Sequence, residues 1–219
     1  MHKHVIAIVL LAFAACSATD ARTRVNADLD ALVCSDPAAW SAGRDGLGDF
    51  IELRTASDYS PPHRSLHSIA LLAEHSLGSF ELEFDALSTG RSYGHRDLCL
   101  IFGFQDPANY NYIHIAPAPD ANAHNIFLVQ DAPRRNLLEV QPKGFEWDDS
   151  WHHVRLVRDV ESGRIAVYMD GSEEALIEGV DKTFTSGFVG LGSFDDTGRF
   201  RNIQLNGEAA GAWSPPVFK

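Results

Sequence analysis

From about Trp40 onward, apolar and polar positions alternate in short runs separated by turn residues. In "FELEFDAL", Phe80, Leu82 and Phe84 fall on one side and Glu81, Glu83 and Asp85 on the other, the period of a half-buried strand. "LCLIFGF" is apolar at nearly every position, which fits a central strand covered on both faces. "NYIHIA" and "NIFLVQ" read as further strands across the loop "PAPDANAH". "WHHVRLVRD" and "RIAVYMD" flank the hairpin signal "VESG", and Asp170-Gly171 marks the next turn. "GFVGLGSF" and "RFRNIQL" are joined by "DDTG". "HSIALLAEHSL" admits a helical period, but a strand is expected because an alternating run follows directly. Nothing repeats at a fixed period. Many short strands around one core predict an all-β fold, a two-sheet antiparallel sandwich.

The start of the chain reads differently. Lys3 precedes the apolar run Val5 to Ala15, which is shorter than the roughly 20 residues of a membrane span and suits an export leader. Residues 1–15 are expected to be that leader. Cys16 follows small residues, as in the bacterial lipoprotein signal, so lipidation there is expected, with residues 16–36 as a tether and 37–219 as the folded domain. Ordinary cleavage near Ala15 or Ala21, with Cys16 unmodified, is the competing reading. The expected place is the periplasm or cell surface, with the membrane reached only through the lipid.

Charge narrows the partners. The 219 residues carry 30 Asp and Glu against 18 Lys and Arg. Such an acidic chain disfavours polyanions, so no nucleic acid is expected, and a neutral ligand such as a sugar fits better. Cys34 and Cys99 stand open between a disulfide, which an oxidising compartment permits, and two buried thiols. No C-x-x-C pair suggests zinc. Oligomeric state is not legible.

"LIFGFQDPANYNYIHIA", "WHHVRLVRDVESGRIAVYMDG" and "GFVGLGSFDDTGRFRNIQL" together resemble, in order, the strand pairs of the concanavalin A-like and laminin-G-like jelly rolls. Among subfamilies the nearest resemblance is to the bacterial 3-keto-disaccharide hydrolase domain. The resemblance implies a jelly roll whose concave sheet engages carbohydrate, with hydrolysis of a 3-keto-glycoside as one outcome. It implies no cofactor beyond one calcium ion, for which Asp195 and Asp196 at the "SFDDTG" turn offer hard oxygens. A non-catalytic laminin-G-type module that binds protein at the cell surface is the alternative.

Site candidates follow from strand parity. Tyr110, Tyr112 and His114 share a face opposite Ile113 and Ile115, so Tyr112 is expected to bind substrate and His114 to act as a base. Glu81, Glu83 and Asp85 share another face, and Glu83 is the tentative catalytic carboxylate. The laminarinase-type enzymes of this fold carry Glu-x-Asp-x-Glu, whereas this strand reads Glu-x-Glu-x-Asp. His153 and Arg155 lie on the same side of their strand as Trp151, away from Val154 and Leu156, and are expected to contact ligand. Gln130 and Arg135, beside Arg134, are candidates for the rim.

Overall fold

The computed structural model describes residues 23–24, 29–210 and 217–218. Its fourteen strands are β1 (Thr23–Arg24), β2 (Leu32–Cys34), β3 (Trp40–Asp45), β4 (Gly48–Leu53), β5 (Ser68–Ser88), β6 (Leu98–Asp106), β7 (Asn109–Ile115), β8 (Asn125–Gln130), β9 (Arg135–Asn136), β10 (His152–Arg158), β11 (Arg164–Met169), β12 (Ile177–Val180), β13 (Gly187–Ser193) and β14 (Gly198–Ala209). The run with an ambiguous period, "HSIALLAEHSL", is strand, as expected. It continues into "FELEFDAL" as one 21-residue ribbon.

That ribbon builds the sandwich. Residues 68–72 of β5 pair with β2 and β13, giving a first sheet ordered β2-β5-β13-β6-β7-β8-β9. Residues 77–88 pair with β10 and β14, giving a second sheet ordered β12-β11-β10-β5-β14-β4-β3, with β1 also against β14. All these pairings are antiparallel, so one strand switches sheets and ties the two layers together.

The main core lies between the layers. Leu98, Leu100, Phe102, Ile113, Ile115 and Ile126 from the first sheet meet Leu82, Phe84, Val154, Leu156, Ile165, Val167 and Phe200 from the second. Each such side chain contributes about 1.5–3 kcal/mol through burial. A second cluster covers the outer face of the first sheet: Ile69, Leu71, Cys99, Ile101, Phe104, Tyr110, Tyr112, Phe127 and Val129, under Leu66, Phe194 and Phe218. This explains why "LCLIFGF" is apolar on both faces. Close packing of β6 on β13 demands glycine at Gly187, which has φ 153° and where a Cβ would run into the Gly103 backbone.

One sequence expectation changes here, and one open alternative closes. Leu29–Ala31 and Leu32–Cys34, inside the stretch expected to be a tether, form a helical turn and the strand β2 paired with β5. Cys34 and Cys99 are both free thiols. Burial pushes the Cys34 thiol up to about 12, with Asp36 adding to the shift. Residues 1–15 and Cys16 lie outside the described residues.

Candidate functional site

The outward face of the second sheet carries a grid of polar side chains. Strand register sets its rows: His153 opposite Asp85 opposite Arg201, then Arg155 opposite Glu83 opposite Gln204, then Val157 opposite Glu81 opposite Asn206. Inward residues of the same strands fill the core, so alternation alone turns these groups outward. A β-bulge interrupts β14 between Arg201 and Gln204. Asn202 within it has φ 53°, the left-handed region. The extra residue puts both Arg201 and Asn202 beside Asp85.

The contacts on this face are specific. Asn202 Nδ2 donates to Asp85 Oδ2 at 2.7 Å, and Arg201 Nε reaches the same oxygen at 3.4 Å. His153 Nδ1 lies 3.3 Å from Asp85 Oδ1. The Arg201 guanidinium sits 4.0 Å from the centroid of Trp151, which is half-buried. Arg155 bonds Glu81 at 3.1 Å and covers the Tyr168 ring at 4.1 Å, while Arg164 donates to the Tyr168 hydroxyl at 2.8 Å. Glu83 sits in the middle of the grid with no ion pair among the described residues. Just behind Trp151, His152 has one ring nitrogen on Asp148 and the other on Asp170, at 3.0 and 2.9 Å, and so fixes the start of β10.

The sequence candidates divide between opposite sides of the molecule. His153, Arg155 and Glu83 do come together here, with Trp151. Tyr112 and His114 do not: they lie on the outer face of the first sheet and are 0% and 3% exposed. The expected hollow above them is filled. Arg134 Nη1 donates to the Tyr112 hydroxyl at 2.7 Å, with its guanidinium between the Phe127 and Phe194 rings at 4.6 and 4.5 Å. His114 Nδ1 accepts from the His124 N–H at 3.2 Å, and burial pushes its pKa down to about 3, helped by nearby Arg134. Its Nε2 is 3.9 Å from Asp97, beyond hydrogen-bond reach, so the ring stays neutral and faces no solvent. Gln130 and Arg135 are exposed, but on β8 and β9 of the first sheet, far in register from the polar grid. Alternation offers no hint of Arg201 or Asn202, because a regular strand would send adjacent residues to opposite faces.

Asp195 and Asp196 acquire a third neighbour, Asp97, with ligand atoms of all three within 4.8 Å. The set does not fit a resident calcium ion. Asp97 already accepts from Ser193 Oγ, the Phe194 N–H and the Cys99 thiol at 2.9–3.0 Å. Asp196 Oδ2 accepts from the Tyr93 hydroxyl at 2.7 Å and the Asp97 N–H at 2.9 Å. Hydrogen-bond donors stand where a cation's shell would form, and burial pushes both carboxyls up to about 6.

Three solved structures illustrate this architecture. The carbohydrate-binding module CBM66 from Bacillus subtilis superposes with a TM-score of 0.56 at 17% identity, over 80% of this chain and 95% of that one. The basic winged bean lectin with Tn-antigen gives 0.55 at 11%, over 88% and 100%. The lectin UEA-II complexed with galactose gives 0.53 at 13%, over 86% and 99%. The fold is a concanavalin A-like jelly roll. No family model matches the chain, and no curated protein matches it by sequence. At these identities the likeness concerns the jelly-roll architecture, and the polar grid is read from its own side chains.

Proposed function

We propose that this jelly roll binds carbohydrate on the outward face of its second sheet. The observation that carries the reading is the Trp151 ring held by Arg201 beside a braced row of hydrogen-bonding groups, His153, Asp85 and Asn202. An aromatic plane with hydroxyl-binding groups at its edge suits a pyranose, which is apolar on one face and polar around its rim. The structural neighbours support the same class of ligand. A 3-keto-glycoside as that ligand rests on the resemblance of three sequence segments. Among the described residues the large exposed apolar side chains are Leu47, Val140, Val180 and Val217.

The test is a thermal-shift and glycan-array screen of the exported chain with mono- and disaccharides, including 3-keto derivatives. Binding of at least one sugar is expected, and its abolition in Trp151→Ala locates it. Binding that survives Trp151→Ala, or no binding at all, removes the reading. Export and lipidation at Cys16 belong to the same proposal. Palmitate labelling that disappears in Cys16→Ser is the expected result.

A further inference from the structure

We infer that the sugar taken by this face is an amino sugar with a free ammonium group, in a chain of at least two units, and that a crevice between β5 and β14 receives the ammonium. This names the ligand class for the site proposed above and rests on that reading.

The crevice follows from strand register. Glu83 stands opposite Gln204 and Glu81 opposite Asn206, on one face of neighbouring strands, beyond the β14 bulge from Asp85 and Arg201. These four side chains line a space of about 10 Å³. Each carries a carbonyl or carboxylate oxygen that accepts hydrogen bonds. The acceptors are unequally used. Glu81 is bound to Arg155, and Asp85 is bound to His153, Arg201 and Asn202. The Glu83 carboxylate has no partner among the described residues. Asn206 Oδ1, aimed into the same crevice, is buried and also has none. A buried acceptor without a donor is a standing cost, and a ligand that brings the donor removes it.

Size and charge select the group that fits. The space matches a single water-sized group, so an ammonium enters and an acetamido group does not. A hydroxyl is as small, and charge separates the two. An ammonium brings three donors and no acceptor into a set of acceptors, and its bonds to carboxylate are charge-assisted, about twice as strong as neutral ones. A calcium ion suits the crevice less, since it takes about six to eight oxygens and the side chains here offer fewer. The surplus of acidic residues, 30 against 18 basic ones, draws cationic ligands to the chain as a whole. Position then sets the length of the ligand. The Trp151 ring lies against Arg201, in the row of Asp85. From that row to the middle of the crevice is roughly 10 Å along β5. One pyranose on Trp151 does not span this, so the ammonium belongs to a neighbouring unit.

The experiment is calorimetric titration of the full chain with glucosamine and galactosamine oligomers of one to four units. Their N-acetylated forms and the neutral glucose and galactose oligomers of the same lengths and linkages are the comparison. An amino-sugar oligomer of two or more units is expected to bind about 10-fold tighter than both counterparts, and the monomer is expected to show no such preference. Glu83→Gln keeps the shape of the crevice and should erase the preference while leaving affinity for the neutral oligomer unchanged. Asn206→Asp adds a carboxylate and should widen the preference. Equal binding of charged and neutral oligomers, or a preference that survives Glu83→Gln, overturns the inference and leaves the sugar-binding reading intact. So does a calcium-dependent rise in melting temperature that Glu83→Gln removes, because it assigns the crevice to a metal ion. Absence of binding to any sugar, or binding that survives Trp151→Ala, removes the reading beneath it.

Discussion

The guanidinium of Arg201 lies 4.0 Å from the centre of the Trp151 ring, and its Nη1 is buried without a hydrogen-bond partner. The ring therefore does two things at once. It covers a cation that the sandwich has largely desolvated, and it presents an aromatic surface next to His153. Trp151→Ala should abolish the sugar-dependent thermal shift. It should also lower stability by about 1–3 kcal/mol, since a desolvated cation–aromatic contact alone reaches about 2 kcal/mol. Trp151→Phe should keep most of the stability. Urea unfolding with and without sugar measures both effects, and an unchanged midpoint in Trp151→Ala refutes the covering role.

On the other sheet, Arg134 closes the face that Tyr112 and His114 were expected to open. It bridges the Tyr112 hydroxyl and the Asn122 carbonyl, at 2.7 and 2.8 Å, while wedged between two phenylalanines. Arg134→Ala should cost about 2–4 kcal/mol, combining a lost cation–aromatic contact with a buried hydroxyl left unpaired. Arg134→Lys should recover only part, because an ammonium cannot make both bonds in one plane. If Arg134→Ala unfolds at the wild-type urea midpoint, the residue is not the cap of this cluster.

This contrast shows what the chain discloses before folding. Alternation fixed which side chains share a face, and it placed Glu83, His153 and Arg155 outward and Phe84, Val154 and Leu156 inward. It could not say whether an outward face stays open. Tyr112 and His114 sit on the correct side of β7, opposite Ile113 and Ile115, yet loop and terminal residues such as Leu66, Phe194 and Phe218 come from distant sequence to cover them. The clue was "LCLIFGF" on the partner strand, where Cys99 and Ile101 required an apolar lid on that same face. Arg201 and Asn202 escaped for a different reason. Bulges break the period of two, and only pairing with β5 reveals one.

The carboxyl pair Asp97 and Asp196 makes stability depend on pH in a definite direction. Burial raises both from 3.8 to about 6, so the folded state holds protons more tightly than the unfolded chain. Their favourable contribution is complete below pH 3.8 and is lost as pH rises through 6. Asp196→Asn keeps an acceptor for Tyr93 and Asp97 but carries no charge. The variant should therefore gain stability relative to wild type at pH 8, with the gain fading by pH 4.5. Added calcium should leave the wild-type melting temperature unchanged, since hydrogen-bond donors fill the cluster. A calcium-dependent rise in melting temperature at pH 7, or a pH-independent difference, contradicts this account.

His114 pulls the other way and can be separated by substitution. Its folded pKa is lowered from 6.5 to about 3, so the folded state resists a proton that the unfolded chain accepts. The resulting stability is full above pH 6.5 and is lost as pH falls toward 3, at about 1.4 kcal/mol per unit where the two states differ by one proton. His114→Asn offers its Oδ1 in place of Nδ1 to the His124 N–H, so the backbone contact survives without a titrating ring. Wild type should lose more stability than the variant between pH 7 and pH 4, by about 2–4 kcal/mol. His124, held down to about 4 by burial and further lowered by His114, also titrates, as do Asp97 and Asp196, so the difference reports His114 together with its coupling to His124. Urea midpoints at the two pH values give the comparison. Parallel acid sensitivity in the two proteins would mean that the ring of His114 reaches solvent, and that the outer face of the first sheet is open after all.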